Sequence, residues 1–106
     1  MTFEEYQALA TKAPLALRNN RTRIDLPILG LQEGAGKIGS LFTAASSLGK
    51  FSPTQEQRVE LRDGLSDLLW CIALICDESE IRMQTIADHS ISQLQERCKD
   101  LDPNER

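Results

Sequence analysis

The sequence predicts an all-α fold, and three observations carry that expectation. Apolar residues recur at helical spacing from one end of the chain to the other. No segment shows the strict alternation or the Val/Ile/Thr enrichment that marks strands. Helix punctuation is frequent, with Thr2 followed three residues later by Glu5, and Ser52 and Thr54 placed before the longest apolar-periodic stretch.

The first helix is predicted to open at the Thr2/Glu5 capping box. It places Phe3, Tyr6, Leu9 and Ala10 on one face and stops at Ala13-Pro14. From Pro14 to Pro27 the turn formers Asn19 and Asn20 and the arginines Arg18, Arg21 and Arg23 predict an irregular connection. A second helix should start near Pro27, which is tolerated in a first turn, and run through Leu31, Ile38, Phe42 and Ala45 to about Leu48. Gly30, Gly34, Gly36 and Gly39 each cost up to about 1 kcal/mol against alanine in a helix interior, so packing must compensate.

Gly49 to Thr54 ends that helix, and a third is expected from about Gln55 to Cys76. Its first half carries Leu61, Leu65, Leu68, Leu69 and Ile72 as one apolar stripe, with Glu60, Asp63 and Asp67 opposite. From Trp70 onward the run WCIALIC is apolar on every side. A single chain of this size can hardly cover such a segment alone, so Trp70 to Ile75 is expected to make a homo-oligomer contact. After a break at Asp77 to Glu80, a fourth helix should turn Ile81, Met83, Ile86, Ile91 and Leu94 inward before a polar tail.

The chain has 106 residues, with Lys+Arg 12 against Asp+Glu 16 and a formal net charge of -4. This length sets the limit at one domain spanning residues 1–106, able to bury roughly 60–65% of its extended surface. The acidic balance argues against a nucleic-acid binder, whose surface must neutralise phosphates. No apolar run approaches the roughly 20 residues a membrane-spanning helix needs, and the start MTFEEYQALA is acidic where a secretory leader is basic. A cytoplasmic protein is the expectation. Cys71, Cys76 and Cys98 match no C-x-x-C spacing and read as free thiols, and a single histidine, His89, leaves little for imidazole chemistry.

Gly34 to Gly39 satisfies G-x-G-x-x-G, but it lies inside a helical pattern where a dinucleotide loop must follow a strand. Gly36-Lys37 fails as a phosphate loop, because Leu31 and Ile38 stand where that motif needs glycine and a hydroxyl. The informative constellation is Glu33 and Lys37 on one helix facing Glu60, Asp63 and Asp67 on the next. Carboxylates at such spacings project from one helical face into an interhelical space, the arrangement that hard cations use. Asp67 stands against the apolar run, where a charge needs a partner.

The order EEYQ, then ILGLQEGAGKIGSL, then GLSDLLWCIALICDE, then IADHSISQLQER resembles the MazG-type all-α nucleoside triphosphate pyrophosphatases over nearly the whole chain. The tryptophan segment after an acidic residue and the Leu-x-x-Arg ending at Leu94 and Arg97 carry the resemblance together. It implies a four-helix bundle completed by oligomerisation as an intertwined dimer or dimer of dimers. It also implies hydrolysis of (d)NTPs to NMP and pyrophosphate, with Mg²⁺ held by a Glu-x-x-Glu pair and a Glu-x-x-Asp pair.

Carried onto this chain, the family's four carboxylates fall on Gly34, Lys37, Gly64 and Asp67, and only Asp67 keeps its identity. The last helix's asparagine and lysine fall on Ser90 and Gln93, leaving Arg97. A catalytically inactive or impaired homologue is therefore expected. It would have no cofactor and would retain a pocket for a nucleotide or other small ligand, with Arg97, Arg18, Arg21 and Arg23 available for phosphate. Lys37 is expected to pair with Asp67 in the cation's place. An active Mg²⁺ enzyme using Glu33, Asp63 and Asp67 is the first alternative, although one position along a helix turns a side chain by about 100°. A structural or protein-binding module is the second.

Overall fold

The computed structural model describes residues 1–12 and 25–98. Among them the chain is mostly helical, with α1 (Phe3–Ala10), α2 (Asp25–Ala45), α3 (Gln55–Glu78) and α4 (Met83–Arg97). One minimal antiparallel pair, β1 (Ser46–Ser47) and β2 (Lys50–Phe51), joins α2 to α3. Residues 13–24 of the connection predicted from Pro14 to Pro27, and the polar tail at 99–106, lie outside the described residues, while Asp25 to Pro27 already belong to α2.

Local chemistry explains the helix ends. Thr2 and Glu5 form the predicted capping box on α1, and Thr54, not Ser52, opens α3 with a second one through Gln57. At the end of α3, Glu80 takes a left-handed φ of 56°, and the Ile81 N–H donates to Cys76 O at 2.9 Å. The Glu80 N–H donates to Asp77 O at 3.3 Å, completing a Schellman-type stop with glutamate where glycine is usual.

The strand pair is a departure from the all-helical expectation. Ser46 pairs with Phe51 and Ser47 with Lys50, which leaves Leu48 and Gly49 as a two-residue turn. Both central residues have positive φ, 53° and 75°. This is the geometry of a hairpin turn matched to strand twist, and leucine at its first position hides the signal from sequence. The Phe51 ring stacks on Phe42 with centroids 4.8 Å apart, and the Ser52 N–H donates to Ala45 O, so the hairpin folds back onto the end of α2.

The main packing is α2 against α3. A second contact gathers Ala73, Cys76 and Met83 into a small core with Tyr6, Ala10 and Leu69 around it. α1 binds this end through polar groups as well. Trp70 Nε1 donates to Ala10 O at 3.1 Å, Gln7 Nε2 donates to Ile81 O at 2.9 Å, and the Met83 N–H donates to Gln7 Oε1 at 2.7 Å. Arg82 also pairs with Glu4.

Two expectations about burial need correction. In α4 only Met83 is buried, while Ile86, Ile91 and Leu94, with Ile81 just ahead of the helix, remain exposed, because α4 packs on α1 and not along α3. In the run from Trp70 to Ile75, Ala73 and Leu74 are covered by the chain's own helices, and of that run Ile72 opens outward. No helix among the described residues is long and apolar enough to cross a membrane.

Candidate functional site

Glycine spacing decides how α2 and α3 meet. A Cβ built on Gly34 would sit 2.8 Å from Leu68 Cδ2, and one built on Gly30 would sit 2.9 Å from Cys71 Sγ. Both glycines are therefore sites of close helix approach. At Gly64 the space is ordinary, with Ile38 3.4 Å away, and Gly36 and Gly39 face open space. Of the two glycines that the resemblance sets at carboxylate positions, Gly34 thus marks a close helix approach and Gly64 an ordinary contact.

On one side of this contact the two helices enclose a groove of about 880 Å³. Its walls bring together Glu33, Gly34 and Lys37 from α2 with Glu60, Asp63, Gly64 and Asp67 from α3. Every described position singled out between the two helices from sequence lines this groove. The α3 acidic face thus looks toward α2, with Leu68 beside it, while Leu61, Leu65 and Leu69 line a separate trough. The groove's apolar lining comes from Ile38, Leu41, Trp70 and Leu74.

The charged groups do not converge. Asp63 pairs with Arg62 on its own helix, with Arg62 Nη2 3.0 Å from Asp63 Oδ1. Lys37 and Asp67 both line the groove, but their charged atoms do not come within the 4.0 Å of a salt bridge, so the expected pair is not formed. The physical reason lies in their exposure. Both side chains reach water, where a lysine gains little from holding one geometry. Among the described residues, no three carboxylates, thiols or imidazoles stand close enough to hold one metal ion. The donor set expected for Mg²⁺ is not assembled by Glu33, Asp63 and Asp67.

The groove lining also holds Cys71, which sequence reading did not place there. It lies one turn beyond Asp67, and its thiol pKa is raised, first by burial and then by the Asp67 carboxylate. Tyr6 from α1 is raised by burial and by Cys71. Asp67, Cys71 and Tyr6 therefore form one electrostatically linked series, legible in sequence only as the i, i+4 spacing of Asp67 and Cys71. A thiol held protonated is a poor nucleophile, and His89 lies exposed on α4, outside the groove lining. The arrangement suits binding and supplies no nucleophile with an adjacent base among the described residues.

Arg97 occupies the last turn of α4 and does not line the groove, and neither do Ser90 and Gln93. Arg18, Arg21 and Arg23 lie outside the described residues. No family model matches the chain, and no curated protein or solved structure matches it either.

Proposed function

We propose that this chain is a MazG-like helical protein that retains the family's scaffold without its metal-dependent hydrolysis, and that it acts as a cytoplasmic homo-oligomer binding a nucleotide or another small ligand in the α2/α3 groove. One observation carries the reading. The family's first glutamate position is Gly34, whose backbone is packed under Leu68, and the second is Lys37, an ammonium in the same groove. The ligand's apolar body would rest on Ile38, Leu41 and Trp70, the last with its ring held by the bond to Ala10.

Hydrolysis through a rearranged set of Glu33, Asp63 and Asp67 would require those carboxylates to converge, and their spacing does not support it. A protein-interaction role is the second reading, favoured by the apolar side chains left open on α3 and α4. The homo-oligomer contact is assigned to the Trp70 to Ile75 segment through Ile72, its outward-facing member.

The test is pyrophosphate release from a panel of NTPs and dNTPs with Mg²⁺ and Mn²⁺, with Asp67→Ala beside the natural chain. The reading expects no release above that of the variant. Metal-dependent turnover that vanishes in Asp67→Ala would overturn it.

A further inference from the structure

Among the described residues, nothing covers the length of α4 beyond its first turns. Every residue from Asp88 to Cys98 is exposed, and α4 is packed on α1 at its first turn, where Gln7 bonds both Ile81 and Met83. An isolated helix of 15 residues is marginal in water, so a helix of this length needs a surface to pack on. Its apolar side chains supply one contact face. Ile86, Leu94, Ala87 and Ile91 fall within an arc of roughly 140° over about 12 Å of helix.

A matching vacancy lies on α3. Leu61, Leu65, Leu69 and Ile72 follow one another at i, i+4, i+8 and i+11 on a flank of α3 turned by roughly 90° from its α2 contact at Gly64, Leu68 and Cys71. Together with Phe51 and Pro53, the side chains of Leu61, Leu65 and Leu69 line a shallow trough of about 520 Å³, with Arg58 and Arg62 also in its lining, and Ile72 follows one turn further along the helix. The four leucine and isoleucine positions extend over about 16 Å, comparable to the α4 face. In an antiparallel bundle α4 would lie along this stripe, but the bonds from Gln7 start it in another direction.

We propose that α4 of a second copy of this chain docks on the Leu61/Leu65/Ile72 face of α3, and that the exchange is reciprocal. The proposal rests on the homo-oligomeric reading above and names its contact. Two faces of similar length, both left open among the described residues, are satisfied together by a twofold pairing. Area supports it. Leu65, Ile72, Ile86, Ile91 and Leu94 are each between 36% and 54% exposed. Together they offer roughly 400 Å² of apolar surface per protomer. Fully covered, and at the usual apolar share of an interface, this corresponds to about 1,300 Å² in total, at the lower end of specific, stable interfaces.

The test uses the full chain and two variants at exposed positions, Leu65→Lys and Leu94→Glu, with molar mass read by light scattering across a dilution series and helix content by circular dichroism. The natural chain should be a dimer, each variant alone a folded monomer, and an equimolar mixture should recover the dimer mass, because lysine then faces glutamate. A monomeric natural chain would overturn both this contact and the homo-oligomeric reading. If Leu65→Lys remains dimeric, the α3 contact is wrong while the homo-oligomer stands. A mixture that stays monomeric also overturns the pairing of these two faces.

Discussion

Gly34 on α2 and Leu68 on α3 are in such close approach that a Cβ on the glycine would lie 2.8 Å from Leu68 Cδ2. The position where the resemblance expects a metal-binding glutamate is thus a packing contact. The α2 glycines fall into two kinds, and their substitution separates them. Gly34→Ala forces Leu68 from its place and should cost about 1–2 kcal/mol, since overpacking outweighs the gain in helix propensity. Gly36→Ala meets nothing within 4 Å and should stabilise by about 0.5–1 kcal/mol. Urea unfolding of the two variants reads the opposite signs directly.

Gln7 serves as a cap supplied from another helix. Arg82 gives α4 no side-chain cap bond, and the Gln7 amide instead accepts from the Met83 N–H and donates to Ile81 O. Gln7→Ala leaves two backbone groups unpaired at a partly buried end and should cost about 1–2 kcal/mol. The loss should appear as a lower melting temperature, and hydrogen exchange should quicken first at the start of α4.

Much of this was readable beforehand, and particular residues show where legibility stopped. The Thr2 box, the α3 start and the placement of Glu33, Lys37, Asp63 and Asp67 between two helices follow from spacing alone, because helical geometry is periodic. The hairpin was hidden because Leu48 adopts a φ that leucine seldom takes. The direction of α4 was hidden because it depends on Gln7, a residue 76 positions from Met83 in sequence. That Gly34 is a close packing contact depends on its neighbour Leu68, which no single-chain pattern reveals.

Alkaline pH should weaken the fold. Tyr6, Cys71 and Cys76 all have raised pKa values, each chiefly through burial, against ordinary values of 10.0 for the phenol and 9.0 for the thiols. The folded chain therefore holds more protons than the unfolded chain above about pH 9, so their contribution is complete below that pH and is lost as pH rises. The melting temperature should fall from about pH 8.5 upward. In Cys71→Ala the fall should be shallower, whatever its starting value. Alkylation at neutral pH should reach exposed Cys98 well before half-buried Cys71 or buried Cys76, as mass spectrometry of timed samples would show.

The proposed loss of a divalent-cation site is the central claim, and direct Mn²⁺ binding tests it without reference to any substrate. Electron paramagnetic resonance of free Mn²⁺, titrated against the natural chain and Asp67→Asn, counts the tightly held ions. The account predicts weak binding without stoichiometry, the same for both proteins, as expected of separated surface carboxylates. One tight Mn²⁺ per chain, lost in Asp67→Asn, would mean that the groove carboxylates converge on an ion and would contradict it.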